Sequence, residues 1–157
     1  MQKTQINTDI GILRIWGNEK GISNIFFEND ILYNFVSIET TDTFLLEECV
    51  LQIKEYFEGK RKIFTFKINP EGTEFQKKVW EEMLKINFGE TVSYKQLAKR
   101  IDNPKAIRAV ANANARNPLP LVVPCHRVIG SNGKLTGYRG ELWRKKFLLD
   151  LEKNTMI

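Results

Sequence analysis

The pattern of hydrophobic and polar positions changes character once along the chain. Over the first 69 residues it is β-rich. The runs at 10–16 and 22–27 are dense in β-branched and aromatic residues, and the Gly17-Asn-Glu-Lys-Gly21 segment between them suits a hairpin. A small antiparallel sheet is expected. Between 43 and 58, Phe44, Leu45, Cys49, Val50, Ile53, Tyr56 and Phe57 recur at helical spacing, with Gly59 placed as a C-terminal cap. This predicts a helix with one face in the core, and residues 63–68 read as a further strand.

Asn69-Pro-Glu-Gly72 breaks the pattern, and the chain beyond it is helical. The domain boundary is expected there, with 1–69 as an N-terminal α+β domain and 70–157 as a C-terminal helical domain. Thr73 with Gln76 forms a capping box opening a helix whose apolar face is Phe75, Val79, Met83 and Leu84. Ser93 with Gln96 opens a second helix carrying Leu97, Ala98 and Ile101, and Asn103-Pro104 opens a third over 104–116. Two helices about a tight Asp102-Asn103 turn have the spacing of a helix-turn-helix. The second of them carries five alanines, Ala109 among them, which permit close approach, while Lys105, Arg108 and Arg116 can reach phosphates. Packing of an alanine-rich helix in a protein core is the competing reading. A last helix, about 141–152, should bury Trp143, Phe147, Leu148 and Leu151.

Composition narrows the class. At 157 residues, 42% hydrophobic and 27% charged, the chain has the make-up of a folded globular protein. No apolar run approaches the ~20 residues of a membrane helix, and the N-terminus carries no recognisable signal, so a soluble cytoplasmic protein is expected. Charge adds more. Residues 1–90 carry 11 basic against 15 acidic side chains, and residues 91–157 carry 13 against 4. A basic C-terminal half fits a polyanionic partner, or simply a solvated basic surface.

Cys49 and Cys125 are far apart in a chain of reducing-compartment type, so no disulfide is expected. Cys49 falls on an apolar stripe and reads as a buried small hydrophobe. Since His126 is the single histidine, the usual Cys/His zinc site cannot be assembled, although counting does not exclude carboxylate-rich sites. Cys125 stands beside His126 and Arg127, and cationic neighbours would lower its pKa and favour a nucleophilic thiolate. The local residues alone fit a structural cysteine as well.

The run Pro124-Cys125-His126-Arg127-Val128-Ile129, eight residues after Asn117-Pro118, resembles the active site of methylated-DNA–protein-cysteine methyltransferases. The resemblance begins at Gly72-Thr-Glu-Phe-Gln-Lys-Lys-Val-Trp80 and passes through Ser93-Tyr94, Leu97-Ala98 and Asn103-Pro104-Lys105-Ala106-Ile107-Arg108-Ala109-Val110. It continues to Gly137-Tyr138-Arg139-Gly140 and Leu148-Leu149-Asp150-Leu151-Glu152. It thus spans residues 70–153. Residues 1–69 match only in length and β-then-α character, where the family has a ribonuclease H-like domain.

The resemblance implies DNA repair without metal or cofactor: Cys125 accepts the alkyl group from O6-alkylguanine, with O4-alkylthymine as a second candidate lesion, in one irreversible turnover. His126 would take the thiol proton through a water, Glu152 would orient the imidazole, and Asn117 would brace the turn before the nucleophile. The partner implied is double-stranded DNA, bound by a monomer through its minor groove with the lesion flipped out. Arg108 would fill the vacated stack, Lys105 and Ala109 would lie against the backbone, and Tyr94 would crowd the target phosphate and donate to the leaving guanine. Tyr138 and Arg139 match the loop over the flipped base and Val128 the pocket floor. Taken by itself, Tyr138 equally fits a half-buried core aromatic.

Two positions depart from the family pattern: Glu141, where a second glycine usually follows Gly140, and Ala111, where glycine is common. Two other classes of function compete. An alkyltransferase-like protein would grip the lesion without repairing it, but such relatives lack cysteine at the acceptor position, and a plain helix-turn-helix regulator, of the same binding class, would not need Asn117, Cys125, His126 and Glu152 together. A thiol hydrolase would turn over repeatedly and would have no use for Tyr94 or Arg108.

Overall fold

The computed structural model describes residues 1–29, 46–136 and 138–155. The first residues of the helix expected from 43, including Phe44 and Leu45, lie outside them, as does Gly137. The chain divides into two compact units, Met1–Glu71 and Gly72–Ile157.

The first unit is built on a three-stranded antiparallel meander, β1 (Gln2–Thr8), β2 (Gly11–Asn18) and β3 (Gly21–Phe27), in the order β1-β2-β3. Strand β1 escapes the hydrophobic pattern because it buries Ile6 and little else. Its polar residues suit an edge strand. In β2, Leu13, Ile15 and Gly17 point inward at a period of two, and Ile15 faces Ile25 of β3. The strands run further than expected into the Gly17–Gly21 segment, leaving Glu19-Lys20 at the turn, where Asn18 Oδ1 accepts from Lys20 N at 2.8 Å. Helix α1 (Glu47–Phe57) supplies Cys49, Ile53 and Tyr56 to this core. It ends in a Schellman motif: Gly59, at φ +75°, donates to Tyr56 O, and Lys60 donates to Glu55 O.

Residues 63–68 do not form the expected strand. Only Ile68 bridges Ile22. At Thr65 the backbone N–H goes to Gln52 Oε1 (2.8 Å), and Gln52 Nε2 donates to the Thr65 hydroxyl (2.7 Å). A helix side chain has taken the place of a strand ladder. The close approach explains Gly21, whose missing Cβ would meet Lys67 O at 2.9 Å.

The second unit is helical. Helix α2 (Glu74–Met83) and helix α3 (Tyr94–Arg100) each begin with the expected capping box, Thr73 with Gln76 and Ser93 with Gln96. The buried face of α2 is Val79, Trp80 and Met83. Leu84, one residue past the helix, is exposed, and Trp80 takes its place with Nε1 donating to Ala113 O at 2.9 Å. Helix α4 (Ile107–Ala115) starts three residues later than expected. Asn103 O accepts from Ala106 N, so Asn103–Ala106 closes as a turn, and Asp102 enters it at φ +58°. Helix-turn-helix order is retained, with a longer connection. The short strands β4 (Val92–Ser93) and β5 (Val128–Ile129) pair in parallel, and helix α5 (Leu142–Thr155) closes the unit. The mixed architecture is the expected one: an N-terminal antiparallel sheet with a helix, then a helical helix-turn-helix region.

Helix α5 also corrects the sequence reading. Trp143 is 48% exposed and Phe147 and Leu151 are half-buried, whereas Arg144, Lys145, Leu148 and Glu152 are buried. Among the described residues, no helix is long and apolar enough to cross a membrane.

Candidate active site

Cys125 opens a 3-10 turn, Cys125–Arg127, that leads directly into β5. The approach is shaped by proline. Pro124 (φ −79°, ψ 65°) lies at the centre of an inverse γ-turn in which Cys125 N donates to Val123 O at 2.7 Å. That carbonyl also accepts from Asn117 Nδ2 (2.8 Å), and Asn117 Oδ1 accepts from Leu119 N (2.9 Å). Asn117 thus ties the end of the α4 segment to the backbone just before the cysteine. Leu121 sits between them at φ +78°, a conformation L residues rarely adopt, so the segment is held under strain.

Behind the cysteine lies a fully enclosed ion cluster. His126 Nε2 is 2.6 Å from Glu152 Oε2, and neither side chain is more than 1% exposed. Arg127 grips the same carboxylate with the two donors of one guanidinium edge, Nε to Oε1 at 2.8 Å and Nη2 to Oε2 at 3.0 Å, while Nη1 donates to Ile86 O at 2.7 Å. Gly89 N adds a weaker contact to Oε1 at 3.3 Å. Burial disfavours the Glu152 anion, but His126 and Arg127 outweigh it and hold the carboxyl well below its usual range. For His126 burial dominates in the other direction, lowering its pKa against the pull of Glu152, so the imidazole is neutral near pH 7. With Nε2–H committed to Glu152, Nδ1 is the free acceptor, and it has no partner among the described residues.

The electrostatics of Cys125 differ from the sequence expectation. His126 is neutral and Arg127 is spent on Glu152, so neither supplies the expected positive field. Burial leaves the thiol above its ordinary value in the free protein, outweighing Asn117 and, after it, the cations Lys145 and Arg139, which all pull the pKa down. Lys145 is fully buried on α5, donating Nζ to Val128 O (2.5 Å) and Thr136 O (3.0 Å); burial pushes it down to about 8. Sequence reading missed this residue. The signal was present: Lys145, Leu148 and Glu152 share one helical face, so an inward Glu152 brings Lys145 inward.

Tyr94, the first residue of α3, is buried, and its hydroxyl donates to Thr136 O at 3.0 Å. Burial raises its pKa, as does the adjoining Cys125. Tyr138 is buried against the same centre, with its pKa raised first by burial and then by Cys125. Val128 is fully buried. Cys125, Asn117, His126, Glu152, Tyr94, Tyr138 and Val128 therefore form one cluster. Arg139 is exposed beside it, lining an open groove of about 700 Å³ with Ala115, Tyr138, Glu141, Leu142 and Trp143. Lys105, Arg108 and Ala109 are all exposed at the start of α4. Cys49 belongs to the first unit, 1% exposed, with burial pushing its thiol up to about 12.

A buried thiol braced by an asparagine, backed by a histidine–carboxylate pair and attached to a helix-turn-helix, defines a nucleophilic cysteine protein with a basic helical face. Comparison makes the class specific. Residues 74–154 match the DNA binding domain of 6-O-methylguanine DNA methyltransferase, and residues 1–70 match its ribonuclease-like domain. The chain is 47% identical over 154 residues to a methylated-DNA–protein-cysteine methyltransferase of Methanosarcina mazei, covering 96% of each chain. It is 41% identical over 155 residues to the constitutive one of Bacillus subtilis, covering 96% of this chain and 94% of that one. The structure of Mycobacterium tuberculosis OGT in complex with DNA superposes with a TM-score of 0.90 at 37% identity, covering 99% of this chain and 94% of that one. The chain belongs to the 6-O-methylguanine DNA methyltransferase family.

Proposed function

We infer that this protein repairs DNA by transferring the alkyl group of O6-alkylguanine irreversibly to Cys125, a methylated-DNA–protein-cysteine methyltransferase activity that consumes the protein. The observation that carries this is the cysteine itself, held by Asn117 beside a histidine whose only committed nitrogen faces Glu152. A lesion-binding relative without repair activity has no need of that nucleophile.

In the reaction, His126 Nδ1 takes the Cys125 proton through an intervening water, and the imidazolium is stabilised by Glu152, which Arg127 keeps ionised. Sulfur attacks the alkyl carbon in line, the S–C bond forms, the C–O6 bond breaks, and the electron pair leaves with guanine. Tyr94 turns its hydroxyl from Thr136 toward the base. Because burial keeps that phenol protonated, it serves the leaving guanine as a hydrogen-bond donor. Val128 forms the floor of the pocket, and Tyr138 and Arg139 the loop above it. The product thioether is stable, so no second turnover occurs.

DNA binds along α4. Its small residues, Ala109 first, let the helix approach a minor groove, Lys105 pairs with phosphate, and Arg108 enters the stack as the nucleotide rotates outward. The groove's degenerate code suits a reader indifferent to sequence. On this reading the protein acts as a monomer in the cytoplasm, residues 70–157 forming the DNA-binding and acceptor domain and residues 1–69 its ribonuclease H-like companion. The test is intact-mass measurement after incubation with duplex DNA containing one O6-methylguanine. Wild type should gain the mass of one methylene at the peptide bearing Cys125 and stop there, and Cys125→Ser should gain nothing. Binding without any mass change would establish the lesion-binding alternative.

A further inference from the structure

We infer that Asn114 contacts the substrate base: its side-chain amide hydrogen-bonds the edge of the flipped guanine that carries the 2-amino group. This rests on the alkyl-transfer reading and adds to it a residue that selects the base.

Asn114 lies on α4 one turn before Asn117, and its carbonyl accepts from Asn117 N at 3.3 Å. The side chain is 2% exposed, yet neither Oδ1 nor Nδ2 has a hydrogen-bond partner among the described residues. Its inward neighbours on the helix are Val110 and Ala113, which offer the amide no polar side chain. Burying an amide unpaired is costly, and a leucine of similar shape would avoid the cost. The amide adjoins the Tyr94 phenol closely enough to favour its ionised form, but the approach falls short of hydrogen-bond geometry. Tyr94 is itself electrostatically coupled to Cys125. Through Tyr94 on one side and Asn117 on the other, the unsatisfied amide stands next to residues that adjoin or brace the acceptor cysteine.

The chemistry of the lesion matches it. An amide offers a donor beside an acceptor. Alkylation at O6 removes the N1 proton of guanine, so N1 becomes an acceptor beside the 2-amino donor, and N3 offers the same pairing on the other side of that amino group. In either pairing Oδ1 accepts from the 2-amino group and Nδ2 donates to a ring nitrogen, as amide side chains do with base edges elsewhere. On the N1 side, unmodified guanine presents two adjacent donors, which one amide cannot satisfy in that way, whereas the N3 pairing is the same in both bases.

The experiment compares wild type with Asn114→Leu in single-turnover methyl transfer from duplexes containing O6-methylguanine or O6-methylhypoxanthine, the same lesion without its 2-amino group. The variant should melt no lower than wild type, and its Cys125 should react with iodoacetamide at the wild-type rate. On O6-methylguanine it should be slower by about tenfold, the value of one well-made hydrogen bond. Loss of the 2-amino group should slow wild type about tenfold more than it slows the variant. An unchanged rate on O6-methylguanine, an equal penalty for amino loss in both proteins, or an unfolded variant would each overturn the inference, the last by showing the amide to be structural. Wild type that takes up no methyl group at all would sink the alkyl-transfer reading itself.

Discussion

At Glu152 one carboxylate receives His126, two donors from one edge of Arg127 and Gly89 N, all from residues distant in sequence. The consequence is a histidine kept neutral by burial and fixed in one tautomer. That has a measurable sign. In the unfolded chain His126 takes up a proton as pH falls through about 6.5, whereas the folded protein resists it because its pKa is lowered. The unfolded state then binds more protons, so stability must fall as pH drops below about 6.5, by at most about 1.4 kcal/mol per pH unit. Since His126 is the single histidine, the window between about pH 6.5 and 5.5 belongs to it alone. Urea unfolding across that window should show the slope in wild type, and His126→Gln should flatten it. A slope that survives the substitution would mean the imidazole is not a neutral, buried group.

Among the elements, those legible in sequence are those fixed locally. Both capping boxes form as read, because the Thr73–Gln76 and Ser93–Gln96 partners lie within one turn. What was not legible depends on distant partners. Strand β1 is recognised only through its pairing with β2, residues 63–68 lose their ladder to the Gln52 side chain, and Arg127 and Asn114 show their roles only once α4, α5 and the cysteine turn are folded together. Glu141 shows both kinds. Its departure from a glycine pattern is visible in sequence, and the structure supplies the reason for the glycine: the residue enters α5 at φ +74°. A non-glycine residue there costs roughly 1 kcal/mol or more. The Trp143 Nε1 bond to Glu141 Oε2 (2.9 Å) is exposed and offsets little of that. Glu141→Gly should therefore gain about 1 kcal/mol in urea unfolding. By removing a carboxylate from the groove beside Arg139 it should also tighten DNA binding. A loss of stability would show that the Glu141 side chain holds the start of α5 more strongly than its backbone strains it.

On the scale of the whole molecule, the charge asymmetry and the enclosed cysteine answer different needs. On the proposed reaction, sulfur chemistry is confined to a buried cluster, where a fixed carboxylate and a neutral base act together. Attraction to DNA draws on the net positive charge of residues 91–157, where 13 basic residues face 4 acidic ones, and above all on the exposed members of that set such as Lys105, Arg108 and Arg116. The two should separate experimentally. Affinity for undamaged duplex should fall steeply with salt, and replacing a phosphate-pairing residue such as Lys105 or Arg116 with alanine should shallow the log–log slope by roughly 0.9. Arg108 belongs to a different step. If its guanidinium fills the space left by the rotated nucleotide, Arg108→Ala should leave that slope nearly unchanged yet slow methyl transfer from duplex DNA strongly, and Arg108→Lys should not restore the rate, because an ammonium cannot stack. Transfer from the free base O6-methylguanine, which needs no rotation, should proceed equally in wild type and Arg108→Ala. Equal slowing on free base and duplex would move Arg108 from nucleotide rotation to the pocket itself.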